Sequence, residues 1–315
     1  MWHYDLMWHY KMRYVMKQVF LVILLAFGFV AGAQNKIVKK PKKQKPATTQ
    51  VAPKKERASK QRKVQSKKAK VDISPTIGKA NYTPNVKTFY ANGVSFEMVE
   101  VRGGTFRMGG TSEQGSDADS DDEYPVHSVT LSGYYIGKTE VTQALWKAVM
   151  GSNPSRFKGD NMPVECVSWD DCQEFIRKLN SLTSQNFRLP TEAEWEFACR
   201  GGNNSRGYKY SGSNYIDNVA WYDGISGDKT HPVATKLPNE LGIYDMTGNV
   251  WEWCSDWNGK YSSGAQTNPK GPYDGSYRVV RGGSWDDNAK GCRSSNRTCN
   301  SPGYHADYLG LRLSL

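Results

Sequence analysis

The sequence predicts an α+β domain with short strands, a few helices and much irregular structure, preceded by a basic N-terminal segment. Near Phe89 a chain rich in Lys, Gln, Ala, Pro, Ser and Thr changes into one rich in Gly and aromatic residues. Three helices then carry start signals, and beyond residue 202 Gly, Asn, Ser, Asp and Trp dominate. We therefore place one domain at residues 85–315, a size that supports a single sizeable core.

Residues 1–33 are predicted to be upstream sequence and an export signal. Met16-Lys17-Gln18 is a short basic start, Val19 to Val30 is almost wholly apolar, and Ala31-Gly-Ala33 is a cleavage motif. The apolar run is short for a membrane span, which favours cleavage over the alternative of an uncleaved anchor. We expect an exported protein that is periplasmic, on the cell surface or secreted.

Residues 34–84 are predicted to be a lysine-rich, disordered linker. Residues 36–70 contain 15 Lys or Arg and one acid, whereas residues 71–315 contain 24 Lys or Arg and 29 Asp or Glu, so the net charge of +11 arises from the linker. Such a segment cannot bury enough apolar surface to fold and extends by self-repulsion. It is either a solvated spacer or a contact for anionic envelope polymers or lipid. Nothing in it indicates sequence-specific binding of nucleic acid.

Within the domain, two strands and three helices are predicted. Alternation and β-branched residues predict strands at Phe96–Val101 and Val126–Ile136. Capping residues predict helices that begin at Thr139 and end at Gly151, that begin at Ser168, and that begin at Thr191 and end at Gly201-Gly202.

Cysteine and histidine patterns exclude several site classes. No two of the six cysteines form a C-x-x-C pair, which argues against a zinc ribbon or a thioredoxin-like site. In an exported chain they are expected to be buried thiols together with one or two disulfides. His127, His231 and His305 lie far apart, so no histidine-based metal motif is present.

Seven segments, in order, resemble the formylglycine-generating enzymes, the sulfatase-modifying factors. They are Gly103-Gly-Thr-Phe-Arg-Met-Gly109, Glu140-Val-Thr142, Pro163-Val164 with Val167-Ser-Trp169, Arg188-Leu-Pro-Thr-Glu-Ala-Glu-Trp195, Gly242-Ile-Tyr-Asp-Met-Thr-Gly-Asn-Val-Trp-Glu-Trp253, Arg281-Gly-Gly-Ser-Trp285 and Leu309-Gly-Leu-Arg312. The resemblance implies that family's variant of the C-type-lectin-like fold. It does not choose among the family's enzymes, machine components and variable binding proteins.

The resemblance also implies where copper chemistry would occur. The generating enzymes follow Arg-Gly-Gly-Ser with two cysteines, and the corresponding positions after Ser284 hold Asp287 and Cys292. Copper(I) is soft and prefers thiolates, so a carboxylate in place of one of them disfavours copper. We therefore expect a non-catalytic member. The alternative is a divergent copper-dependent oxidase acting on protein cysteine, in which Cys292, alone or together with Cys299, holds the metal and Ser284 corresponds to the family serine beside it.

Calcium is the cofactor that the resemblance favours. The family's ligand spacing falls on Asp245, Gly248, Val250 and Glu252, which supply the oxygen atoms that a hard cation prefers. The alternative is that Asp245 caps a turn and Glu252 pairs with an arginine. A second family calcium site would begin at Asn218 and Val219, with Asp223 or Asp228 as its acidic ligand.

The segment 286–308 is predicted to be the ligand-binding face. It mixes small polar and aromatic side chains, as antibody paratopes do. We expect it to bind a protein, peptide or glycan, the alternatives being an ordinary polar loop region or a role as a structural part of an envelope secretion machine. The predicted contact residues are Asp286, Asp287, Asn288, Asn296, Thr298, Asn300, Tyr304 and His305.

Overall fold

A computed structural model describes residues 83–117 and 121–315. The predicted export signal at 1–33 and nearly all of the predicted linker at 34–84 lie outside the described residues, so both stay predictions. The first strand begins at Val86, close to the predicted domain start. Among the described helices, none has the length and apolarity needed to cross a membrane.

The described domain has three α-helices and ten strands, most of them short. The helices are α1 (Gln143–Met150), α2 (Trp169–Thr183) and α3 (Glu192–Cys199). The strands are β1 (Val86–Ala91), β2 (Val94–Val101), β3 (Gly104–Met108), β4 (His127–Leu131), β5 (Tyr134–Gly137), β6 (Trp251–Trp257), β7 (Gln266–Thr267), β8 (Arg278–Arg281), β9 (Arg297–Asn300) and β10 (Leu309–Leu311). This content confirms the predicted α+β class.

The strands form three small sheets. The first has the order β1-β2-β5 and the second the order β3-β4-β7. The third has the order β10-β6-β8-β9, with β10 parallel to β6 and the other pairs antiparallel. Because β9 is an edge of this third sheet and β8 leads directly into the Arg281-Gly-Gly-Ser284 turn, the third sheet carries the candidate site.

One strand prediction is wrong in its extent. Val126–Ile136 is two strands, since β4 pairs with β3 and β5 pairs with β2 in a different sheet. The chain leaves the second sheet at Ser132, whose backbone N–H donates to the Asn268 side chain at 2.8 Å instead of continuing the ladder. The alternation of apolar residues also breaks at Ser132-Gly133, which was the available sequence signal.

The helix predictions are confirmed at two starts and shifted at one. Ser168 and Thr191 each cap a helix through a full capping box, with Asp171 and Glu194 as the reciprocal partners. The first helix instead begins after Thr142, three residues later than predicted, because the Thr142 hydroxyl rather than that of Thr139 accepts from a free backbone N–H. Its left-handed end at Gly151 is as predicted.

The third sheet separates two apolar cores. Val280 and Trp253 pack with α1 and α2 on one side, whereas Val279 and Cys254 pack with α3 on the other. Neighbouring residues of a strand face opposite sides, which explains why both faces of β6 and β8 are apolar. All six cysteines lie in the described part and none forms a disulfide, so the predicted bridges are absent and four of the six are fully buried thiols.

Candidate functional site

The candidate site is built on the tight turn that follows β8. Gly282 and Gly283 have φ angles of 104° and 76°, a region that favours glycine. A Cβ added at Gly283 would lie 2.6 Å from the sulfur of Cys292, so this position must lack a side chain. The turn thereby brings the Ser284 backbone against Cys292, whose thiol lies 4.0 Å from the Ser284 carbonyl oxygen.

Asp287, at the position where the resemblance implies a cysteine, is held by two donors. Its Oδ2 accepts from the Ser284 hydroxyl at 2.5 Å and from the indole Nε1 of Trp251 at 2.7 Å. Burial raises the pKa of the Asp287 carboxyl, while these two hydrogen bonds oppose the rise. The carboxylate is thus held in the turn through its Oδ2 atom.

Cys292 is a protonated thiol in this environment. The residue is 0% exposed, and burial raises its pKa well above the usual value, with further increases from the charges of Asp287 and Asp223. Cys299 lies in a different environment, because the charges that act on it are Arg297, Asp122 and Glu192. A copper(I) ion needs a pair of thiolates here, and these residues do not fit it.

The predicted ligand-binding residues fall into three neighbouring segments. Asp286 and Asn288 are exposed and Asp287 is half-buried on the loop after β8, while Asn296 binds the Gly291 carbonyl at the end of that loop. The other four lie on the edge strand β9 and on the loop that follows it, and they are Thr298, Asn300, Tyr304 and His305.

Trp251 joins the two loops. Its backbone N–H donates to the Tyr308 carbonyl and its indole donates to Asp287, and the Tyr308 hydroxyl bonds that of Tyr304 at 2.6 Å. Trp251 therefore connects the loop of Asp287, through its indole, with the loop of Tyr304 and Tyr308, through its backbone. Thr298 and Asn300 instead pair with Val280 and Arg278 along the sheet edge, where β8 lies between β9 and β6, the strand of Trp251.

A further aromatic pair borders this face and was missed by sequence reasoning. Trp285 packs edge-on against Phe157 at 5.5 Å, and its indole donates to the Asp307 carbonyl. The Asp307 carboxylate in turn forms an ion pair with Arg156. The residues 156 and 157 come from the loop after α1, and no local sequence signal connects them with the C-terminal segment.

The predicted calcium ligand Asp245 lies at a buried turn. It has a φ of 57°, and its Oδ2 accepts from the Ala234 backbone N–H at 2.7 Å. Burial raises its pKa to about 6. At the second predicted calcium site, the Asn218 carbonyl already accepts a hydrogen bond from the Leu237 backbone N–H, and Val219 is buried with 2% of its surface exposed.

Glu252 does not fit as a calcium ligand in its present arrangement. Its Oε1 accepts from Nη2 of Arg312 at 2.7 Å, and its Oε2 accepts from Nε of Arg312 at 3.0 Å and from the indole of Trp195 at 2.6 Å. Both carboxylate oxygens are therefore used by buried donors. This is the arginine pairing that the sequence left open as an alternative.

A third buried carboxyl accompanies Asp245 and Glu252. Oε2 of Glu140 accepts from the Asn249 side chain at 3.0 Å, but Oε1 is buried without a partner. Burial raises the Glu140 pKa well above its usual value, and the charges of Asp245 and Glu252 raise it further. The donor set at Asp245 and Glu140 thus suits a hard cation, although no group of three His, Cys, Asp or Glu side chains converges on one point in the described part of the chain.

The two best-formed cavities of the described domain lie away from Cys292. One has a volume of about 290 Å³ and is lined by parts of β1, β2 and α1, with Glu140 in its wall. The other, of about 490 Å³, lies at the end of β6 beside the start of α3. Neither of these two cavities is lined by Ser284, Asp287 or Cys292.

Comparison with known proteins assigns these features to one family. A family model described as sulfatase-modifying factor enzyme 1-like domain matches residues 85–315. The chaperone protein LppX of Paenibacillus barcinonensis is 36% identical over 242 residues, which cover 61% of this chain and 79% of that protein. The formylglycine-generating enzyme of Thermomonospora curvata is 31% identical over 289 residues, which cover 68% of this chain and 92% of that protein. Among solved structures, Treponema denticola variable protein 1 has a TM-score of 0.65 and 36% identity, covering 74% of this chain and 99% of that one.

Proposed function

This chain belongs to the sulfatase-modifying factor enzyme 1-like domain family, and we propose that it is an exported, non-catalytic member that binds a protein, peptide or glycan through its C-terminal loop face. The observation that carries the proposal is the carboxylate of Asp287 at the position of a copper-binding cysteine. That carboxylate is held by Ser284 and Trp251.

The properties of the two side chains support the proposed lack of redox chemistry. A single buried, protonated thiol at Cys292 does not supply the pair of thiolates that would hold copper(I) open to a substrate sulfur. The negative charge of Asp287 raises the pKa of the Cys292 thiol further. In a copper enzyme, by contrast, the metal and cationic neighbours lower the pKa of their thiol ligands.

Binding through the loop face is supported by its composition and by its framework. Exposed Asn288 and Tyr304 project from loops that are anchored by buried tryptophans, so the contact residues are displayed without a large ordering cost. The relatives at 36% identity are named as a chaperone protein and a variable protein. Export is supported by the signal-like sequence at residues 16–33.

Calcium is a separate proposal. Asp245 and Glu140 would hold the ion, together with the backbone carbonyls of Gly248 and Val250, while Glu252 stays bound to Arg312. The supporting observation is that the three buried carboxyls of Glu140, Asp245 and Glu252 have a single arginine, Arg312, acting on all of them. A divalent cation would offset this excess of negative charge. The ion would act as a structural tie at this turn.

The test of catalysis uses copper(I), oxygen and a cysteine-containing peptide, with the product followed by mass spectrometry. The wild-type protein is expected to form no formylglycine, whereas Asp287→Cys is expected to gain copper(I) affinity. Asp286→Cys is the matched control, because it adds a thiol at an exposed neighbouring aspartate. Wild-type turnover that disappears in Cys292→Ser would overturn the non-catalytic assignment.

The test of binding uses peptide and glycan arrays with the wild-type protein and with Tyr304→Ala. Tyrosine is frequent among the residues that dominate binding energy, so a ligand of this face is expected to bind at least about tenfold more weakly to the variant. Tyr215→Ala is the matched control, because that tyrosine is 64% exposed on another part of the surface. An equal loss in both variants, or no loss in Tyr304→Ala, would place the binding elsewhere.

A further inference from the structure

The larger cavity has the properties of a small-ligand site distinct from the loop face. It has a volume of about 490 Å³ and lies between the end of β6, the start of α3 and the loop that carries β7. Small-molecule sites commonly measure about 300–1,000 Å³ and combine apolar walls with a few polar groups. Met108, Pro269 and Pro272 contribute apolar wall here.

Two buried groups in the cavity wall retain hydrogen-bonding capacity. Oδ2 of Asp256 accepts from the Glu192 backbone N–H at 3.0 Å and from the Ser255 hydroxyl at 2.9 Å, and neither bond uses Oδ1. His127 is 2% exposed, and its Nδ1 donates to the Pro125 carbonyl. In the neutral imidazole this leaves Nε2 as an acceptor, and no described residue bonds it.

The charged and aromatic groups deeper in the cavity are already paired. Both oxygens of Glu192 accept from Arg297, so these two charges cancel. The centre of the Tyr261 ring lies 4.9 Å from that of the His127 ring and 4.4 Å from the Arg297 guanidinium carbon. The Arg278 guanidinium lies over the Trp257 ring, with its central carbon 3.4 Å from the ring centre. The aromatic residues therefore do not form an open platform for stacking a ligand.

The mouth of the cavity is cationic. Lys260 and Lys270 line it, both are exposed, and neither has an acidic partner among the described residues. The domain as a whole is acidic, with 24 Lys or Arg against 29 Asp or Glu from residue 71 onward. Two unpaired lysines at one opening are thus a local reversal of charge.

We propose that this cavity binds a small hydroxylated molecule that carries one carboxylate or phosphate group. The anionic group lies between Lys260 and Lys270, where it replaces the missing acidic partner. The hydroxyl groups point inward, where they donate to Nε2 of His127 and exchange hydrogen bonds with Asp256. This site is independent of the loop face and of the proposed function.

The test is calorimetric titration of the full chain with glucuronate, glucose 6-phosphate and glucose. The two anionic sugars separate the carboxylate from the phosphate source, and glucose reports the contribution of the hydroxyl groups alone. At least one of the two anionic probes is expected to bind at least about tenfold more tightly than glucose. Two lysine contacts of about 0.7 kcal/mol each add up to that factor.

The variant Lys260→Ala/Lys270→Ala is expected to remove this tenfold preference, and both side chains are exposed, so the fold is retained. The matched control is Lys178→Ala/Lys229→Ala, which removes two lysine charges elsewhere while the basic N-terminal segment stays the same. Glucose binding as tight as that of the anionic sugars would overturn the proposal. So would an equal loss of affinity in the control, or no binding of any probe at about 10 mM, a concentration that corresponds to under 3 kcal/mol.

Discussion

Asp256→Asn is expected to make the stability of this protein less dependent on pH. Asp256 is 4% exposed, and burial, followed by the charge of Glu192, raises its pKa from 3.8 to about 7. An acid whose pKa is raised by folding binds its proton more tightly in the native state. Stability is therefore highest below the unfolded pKa and falls as the pH rises toward the folded pKa.

The magnitude follows from the size of the shift. A rise from 3.8 to about 7 corresponds to about 4 kcal/mol at 1.36 kcal/mol per pKa unit. Between pH 5 and pH 8 the loss is about 2–3 kcal/mol, because part of it has already occurred below pH 5. Asparagine resembles the protonated acid in shape, and its side-chain oxygen can still accept from the Glu192 N–H and the Ser255 hydroxyl.

The assay is urea unfolding of the wild-type protein and of Asp256→Asn at several pH values from 5 to 8. The variant is expected to gain about 2–3 kcal/mol relative to wild type across this range. Asp274→Asn is the control, because Asp274 is an exposed aspartate. Parallel pH profiles for wild type and Asp256→Asn would refute the reasoning, since the buried carboxyl would then carry no linked proton.

Three further predictions concern the buried framework. Arg293→Ala is expected to lower the free energy of unfolding by about 3–5 kcal/mol in urea, because it leaves the fully buried Glu123 carboxylate without its two-point partner. Gly283→Ala is expected to destabilise the protein by at least about 2 kcal/mol, since its Cβ would meet Cys292 at 2.6 Å and its φ is 76°. Calcium is expected to raise the melting temperature and a chelator to lower it, an effect that Asp245→Ala should abolish.

Each of these has a control and a contrary outcome. Arg177→Ala breaks an exposed ion pair and should change stability far less than Arg293→Ala does. Gly303→Ala adds a Cβ with no atom within 4 Å, so a loss equal to that of Gly283→Ala would contradict the steric argument. A melting temperature that is indifferent to both calcium and chelator would contradict the calcium proposal.

Local signals predicted the helices well and the strands only in part. The helix starts at Ser168 and Thr191 were predictable because a capping box involves residues only three apart. The division of Val126–Ile136 between two sheets depends on Asn268, which lies 136 residues from the Ser132 that it contacts. No pattern inside the segment specifies a partner at that distance.

The candidate site shows the same division. The sequence alone predicts that Asp287 stands where the resemblance expects a cysteine, because the Arg281-Gly-Gly-Ser284 motif sets the count. That the carboxylate is held by Trp251, and that Phe157 borders the face, was not visible. These contacts join segments that are far apart along the chain.

The sequence by itself determined the family and the α+β class, since both are written in ordered motifs, and it puts Asp287 and Cys292 at fixed spacings after Ser284. Only the tertiary structure decided that Glu252 is bound by Arg312 and that Glu140 joins Asp245 in the same buried region. It also decided that Asp256 and His127 line one cavity with Lys260 and Lys270. The physical reason is that burial and charge pairing are properties of the space around a side chain, and residues that are distant in the chain fill that space.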